Sequence, residues 1–383
     1  PMGLSSVVQT SASISLSWSA SVASVGGSAV TSYKVYSNDG ASASAALSST
    51  AVHTTADGTT TTATIDSLSP GLLYSFAVSA VSAAGEGEQS AVLAQSSSPG
   101  APATGPTSSL QTSTTISLSW SAPSSDGSSG SDATGYRLYD VSGGSAVVLY
   151  SGSSTAFEQT GLTAGASYSY EVSAVSDAGE SPTTSPLVQY TAPSAPTALV
   201  SSAWTTTSYQ IDWVAPSVAA SAPAVSGYTL YERVTYEMHD VGTSGAIPDD
   251  VLQTMLSQST DTVVVDTVAY DGRASTAVTT TLSGLTGGAS TSYVVAARSS
   301  AGEGDRSSAL SVSTSPPAPG TLASVLQTTS SITLSWSAPV VTTGVAVTGY
   351  NLYIDDGSSG SPDTLVTTCS GTALDTGCSA TGL

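Results

Sequence analysis

One ten-residue phrase recurs along the chain. It appears as Gln9-Thr-Ser-Ala-Ser-Ile-Ser-Leu-Ser-Trp18, as Gln111-Thr-Ser-Thr-Thr-Ile-Ser-Leu-Ser-Trp120 and as Gln327-Thr-Thr-Ser-Ser-Ile-Thr-Leu-Ser-Trp336, with a diverged fourth version between Trp204 and Trp213. The tryptophans ending these phrases are 102, 93 and 123 residues apart. That is the length of a small domain and too long for a solenoid repeat, whose units are a few tens of residues. Within each phrase Ile, Leu and Trp alternate with Ser or Thr. A period of two buries one face of a strand and leaves the other in water, so each phrase reads as a half-buried antiparallel strand.

Two further signatures keep register with the first. Tyr33-Lys-Val-Tyr36, Tyr136-Arg-Leu-Tyr139, Tyr228-Thr-Leu-Tyr231 and Tyr350-Asn-Leu-Tyr353 follow the tryptophans, the last three directly after a glycine. Leu68-Ser-Pro-Gly-Leu-Leu-Tyr74 and Leu162-Thr-Ala-Gly-Ala-Ser-Tyr168 come next, each leading into a strand and then Ala-Gly-Glu. Short strands punctuated by turn residues predict an all-β sandwich for every copy. The combined pattern resembles the fibronectin type III domain, repeated in tandem along essentially the whole chain. The resemblance implies immunoglobulin-like antiparallel sandwiches in which Tyr74 and Tyr168 form tyrosine corners, each phenol hydrogen-bonding nearby backbone. In the third copy the matching position is Thr291, so that corner lacks its phenol.

Proline clusters at Ser98–Pro106, Ala192–Pro196 and Ser315–Pro319 separate the copies. They set domains at 1–98, 99–193, 194–315 and 316–383, and short proline-bearing joints predict an extended rod. The fourth domain reaches only the position of Leu68 in the first. Its corner and last strands are therefore expected beyond residue 383, in a longer polypeptide, or from a neighbouring chain.

Composition narrows the function. Of 383 residues 78 are Ser and 53 Thr, while 27 acidic residues face 6 basic ones, a formal net charge of −21. Such a surface repels a phosphate backbone, so nucleic acid is excluded as a partner. No apolar run is long enough to span a bilayer. The two cysteines, Cys369 and Cys378, sit in a strand-turn-strand reading and predict a disulfide across a hairpin, which places the chain in an oxidising, extracellular or cell-surface setting. Asn38 and Asn351 lie in no N-glycosylation sequon, so the glycans expected are O-linked. His53 and His239 are the only imidazoles. No nucleophile-elbow, zinc, phosphate-loop or calcium-loop motif is present, and the reading includes no catalytic residue, cofactor or metal.

The third copy carries about two dozen extra residues within roughly 232–272. Ile247-Pro-Asp-Asp-Val-Leu-Gln-Thr-Met-Leu-Ser-Gln258 has Pro and carboxylates where a helix would begin, and Val251, Leu252, Met255 and Leu256 share one helical face. A short helix on a long hairpin is expected there. That face, rimmed by Asp249 and Asp250, is the candidate contact with neighbouring domains or copies. The leading functional reading is a non-enzymatic structural segment of an extracellular fibre, surface appendage, matrix or adhesin. The alternatives are a ligand- or carbohydrate-binding module, or the spacer region of a secreted polysaccharide-degrading enzyme.

Overall fold

The computed structural model describes the chain except residues 23–26, 39, 41–45, 125–131, 238–247, 249–250, 252–261, 342–345, 356–361, 363, 367–370, 373–375 and 382–383. It divides into two compact units, one of 1–191 with 219–222 and one of 192–218 with 223–383.

In the first unit the opening phrase forms the strand Ile14–Ser19, hydrogen-bonded between Met2–Gln9 and Thr62–Ile65. A second sheet orders His53–Thr54, Val30–Ser37, Leu73–Ser82 and Gly85–Glu86, with Leu93–Ser96 also pairing Leu73–Ser82. Alternation decides which side chains enter the space between the sheets. Ile14, Leu16, Tyr33, Val35, Phe76 and Val78 are buried there, each stabilising the domain by roughly 1.5–3 kcal/mol relative to exposure. The outer faces carry hydroxyls that pair across strands, Ser5 with Ser17 at 3.1 Å and Ser15 with Thr64 at 3.0 Å. Short hydroxyl pairs thus hold the surface that charged pairs hold in most sheets.

Residues 107–190 repeat this plan, with Thr107–Gln111, Ile116–Ser119 and Ala156–Gln159 in one sheet and Val147–Gly152, Gly135–Asp140, Ser167–Ser176, Gly179–Glu180 and Leu187–Tyr190 in the other. The joint between these two sandwiches is packed and not a free tether. Ser98 is fully buried and its hydroxyl donates to the Ala178 carbonyl at 2.9 Å.

The second unit contains a third sandwich of the same order, from Thr197–Ser202 to Leu310–Ser313. In the fourth copy Gly320–Gln327, Ser331–Ser337 and Gly377–Thr381 make one sheet, beside the short pairs Gly349–Tyr350 with Gly371–Thr372 and Tyr353–Ile354 with Thr364–Leu365. An edge-to-face Trp–Tyr pair marks every copy, with ring centroids 5.5, 5.9, 5.3 and 5.4 Å apart at Trp18–Tyr33, Trp120–Tyr136, Trp213–Tyr228 and Trp336–Tyr350.

The all-β architecture stands, but the expected helix over 247–258 does not. Among the described residues there is no helical element, and of that stretch only Pro248 and Val251 are described. The strands Gly227–Glu237 and Thr262–Gly272 have 11 residues each and pair to Glu237–Thr262, so the described part of the insertion lengthens the hairpin. Val251 is 5% exposed against Tyr236, Val263 and Val265 on that hairpin. A dozen residues make a marginal helix by themselves, and here an apolar residue read as part of a helical stripe covers a strand face. Asp271-Gly272, a turn signal in the sequence, instead pairs with Thr229 and Tyr228. The cysteine hairpin is also redrawn. Cys378 pairs with Leu334 in one sheet while Thr364–Leu365 joins Tyr353–Ile354 in another, and Cys369 lies outside the described residues.

Candidate functional site

The Ala-Gly-Glu turn builds the same polar cluster in three sandwiches. In the first, the Glu86 carboxylate accepts hydrogen bonds from Lys34 at 2.8 Å, from Tyr36 at 2.5 Å and from Ser79 at 2.5 Å. Those bonds, Lys34 foremost, hold the Glu86 carboxyl down at about 2. In the second, Glu180 takes Arg137, Tyr139 and Ser173 in the same places. In the third, Thr229 replaces the basic residue and Ala296 the serine. Arg298 on the neighbouring strand compensates, its Nη2 lying 2.5 Å from Glu303 Oε2 as an ion pair while Tyr231 donates to Oε1 at 2.6 Å. Charged groups paired in this way pin a turn to a sheet.

All six basic side chains are engaged in this way. Lys34, Arg137 and Arg298 hold the turn glutamates, Arg233 and Arg306 converge on Asp266, and Arg273 pairs with Asp271. Five of the six lie within strands, whereas Arg273 follows one and is 59% exposed. A protease must draw its target into an extended, unpaired form, so exposed connections are cut first. Brief trypsin treatment of the native chain is therefore expected to give fragments 1–273 and 274–383. First cleavage at Lys34 or Arg306, read by intact mass, would overturn this.

Beside these clusters lie the corners. The Ser69 N–H donates to the Tyr74 phenol at 2.8 Å and the Thr163 N–H to Tyr168 at 2.9 Å. Where the third copy has Thr291, a phenol arrives from the opposite sheet. Tyr209, in the place of Ile14 and Ile116, donates to the Tyr293 hydroxyl at 3.0 Å. Tyr293 in turn stands where the first domain has Phe76 and the second Tyr170. The Tyr170 hydroxyl is buried without a partner among the described residues, and burial raises it far above the ordinary phenol range. A buried orphan hydroxyl costs about 1–3 kcal/mol. Tyr170→Phe, which copies the first domain, should stabilise the second by roughly 1 kcal/mol in urea unfolding followed by hydrogen exchange. A loss of stability would show that the hydroxyl is satisfied.

Two clefts among the described residues of the second unit bear on these positions. One of about 640 Å³ is lined by Trp336, Tyr350, Leu352, Tyr353 and the prolines Pro316 and Pro317. In the first domain the matching Trp18–Tyr33 pair is packed with Tyr74, Phe76 and Val78. The other cleft, about 230 Å³, lies where the third corner lacks its phenol. Among the described residues no group of three His, Cys, Asp or Glu side chains could hold a metal ion. Of the residues expected to form a contact surface, Val251 faces its own hairpin, while Asp249, Asp250, Leu252, Met255 and Leu256 lie outside the described residues, as does His239.

The fibronectin type III domain family matches residues 1–96 and again 100–190. Residues 1–96 and 100–190 are fibronectin type III domains. Exoglucanase B of Cellulomonas fimi is 31% identical over 269 residues, 65% of this chain and 21% of that protein. Endoglucanase B of the same organism is 31% identical over 260 residues, 63% of this chain and 21% of its own length. Chitinase A1 of Niallia circulans is 42% identical over 111 residues, 26% of this chain and 16% of that protein. The chain thus spans about a fifth of the length of the glucanases it matches. Two of the three turn glutamates escape sequence reading because their cations lie far away in the chain, Lys34 being 52 residues from Glu86 and Arg137 43 from Glu180.

Proposed function

We propose that this chain is a non-catalytic fibronectin type III spacer within an extracellular enzyme that degrades an insoluble polysaccharide. The alignments with two glucanases, each running over at least 260 residues, carry the reading. A fibre or appendage segment would meet the same physical demands, and it is this kinship that favours the spacer. Polymers of the kind named in those relatives cannot enter a cell, so an enzyme acting on them works outside it. The neutral hydroxyl-paired faces and wholly engaged cations suit exposure to proteases there. A bridge between Cys369 and Cys378 belongs to the same proposal. Unreduced material should show no alkylatable thiol by mass spectrometry, and two alkylated cysteines would reject the bridge.

The test of the spacer uses the natural polypeptide with and without this segment. Deletion is expected to slow hydrolysis of insoluble polymer several-fold while leaving cleavage of a short soluble substrate unchanged. Equal loss on both substrates would point to a part in the active site. No loss on either would return the fibre reading.

A further inference from the structure

The 230 Å³ cleft of the third domain exists because two substitutions act together. Tyr209 replaces an inward isoleucine and Thr291 replaces the corner tyrosine, so one phenol has moved to the opposite sheet and the space of its ring is left open. Strand alternation aims a carboxylate into that space. Tyr228 and Leu230 face the core, and Glu232, two residues on, faces the same way, directly across the ladder from Tyr293. The second domain has Asp140 at this register, and its carboxylate is occupied by the Ser142 N–H at 2.8 Å and the Ser142 hydroxyl at 2.5 Å. Glu232 takes no hydrogen bond or ion pair among the described residues, although it lines the cleft. A half-buried carboxylate at a core-facing position bears a desolvation cost that a partner would offset.

We propose that this cleft binds the primary ammonium group of one small hydroxylated amine, held by Glu232 with Thr291 and the Tyr209–Tyr293 phenol pair. The lining selects among ligands. An anion would meet Glu232 and a chain of net charge −21. An apolar molecule would strand the hydroxyls. A neutral sugar would find no ring face to stack on, because Tyr209 is 1% and Tyr293 2% exposed. An ammonium supplies three donors to a site rich in acceptors, and the field of an acidic protein concentrates it there. No cation of the chain itself is free to serve, since all six are paired elsewhere. The volume is below the roughly 300 Å³ at which drug-sized sites begin, so a single small molecule fits and a polymer does not. The site stands apart from the spacer reading and survives its failure.

Ethanolamine and glucosamine are the probes, with ethylene glycol and glucose as their neutral counterparts, each titrated into the full chain by NMR. The amines should shift resonances of residues 284–293 saturably, about tenfold more tightly than the neutral partners and less so as salt rises. Glu232→Gln should remove the difference between amine and neutral probe. Thr291→Tyr, which refills the corner, should abolish binding and raise the melting temperature of the third domain. Equal affinity for charged and neutral probes, no saturable shift, or full amine binding by Thr291→Tyr would each overturn the proposal.

Discussion

Replacing Asp266 by Ala should cost the third domain about 3 kcal/mol, the largest loss expected from any single charged residue here. The Asp266 side chain is 3% exposed and receives a two-pronged grip from Arg233, Nε to Oδ1 at 2.8 Å and Nη2 to Oδ2 at 2.7 Å, from directly across the ladder. Arg306 binds the same Oδ2 and lies over the Tyr231 ring, 4.1 Å from its centroid. Without the carboxylate two guanidinium groups face each other with no anion between them. The arginines keep some contact with water, which places the expected cost at the low end of the range for a broken buried pair. Asp266→Asn preserves the shape and one acceptor and should lose roughly half as much. The hydrogen bonds from Arg233, against the opposing effect of burial, hold the Asp266 carboxyl below its ordinary value. A carboxyl with a depressed folded pKa contributes fully above its unfolded value, near 4, and less as pH falls through the folded one. The gap between the native chain and Asp266→Asn should therefore close as the solution is acidified below about pH 4. Hydrogen exchange of peptides within 262–272 reads this domain separately from the others. An Ala variant within 1 kcal/mol of the native chain would show that the arginines find other partners.

The parts of this fold that could be read from the sequence are those fixed by local alternation. Ile14, Leu16 and Trp18, or Tyr33 and Val35, differ from their neighbours by one step in a period of two, and the same step buries them. What the sequence hid depends on contacts across the sheet. Glu86 meets its lysine from two strands away, and Asp266 meets Arg233 from the facing strand, neither of which local spacing reveals. The helix misread has the same origin. Val251, Leu252, Met255 and Leu256 fit a helical stripe, but Val263 and Val265 on the next strand offered Val251 a face that no local pattern reveals. One signal was available and informative. Tyr209 breaks the Ile-x-Leu-x-Trp phrase at the very copy whose corner tyrosine is Thr291, and paired exceptions within a repeat mark residues that touch.

Gly227 shows how far a repeated residue can differ in its reason for being there. It precedes Tyr228 as Gly135 precedes Tyr136, and the sequence assigns both the same part. A Cβ on Gly135 would lie 3.1 Å from the Gly152 carbonyl oxygen, a tight contact that a small shift relieves. On Gly227 it would lie 2.4 Å from the carbonyl oxygens of both Gly272 and Arg273. Those oxygens belong to the lengthened hairpin, whose pairing reaches Tyr228–Gly272 at its base. The first domain carries Ser32 at this position, and its partner strand is only His53–Thr54, paired with Val35 and Lys34 farther along. In the second domain the partner strand reaches the same register, Tyr136–Gly152, so the third differs in how closely the Gly272 and Arg273 carbonyls approach the glycine. Gly227→Ala should therefore destabilise the third domain by about 2–3 kcal/mol, as overpacking against backbone does, while Gly135→Ala costs the second less than 1 kcal/mol. Because the clash is with Gly272 and Arg273, the loss should show as faster exchange at 262–272 before it reaches Tyr209–Trp213. Equal effects of the two alanines would mean that the hairpin base yields freely.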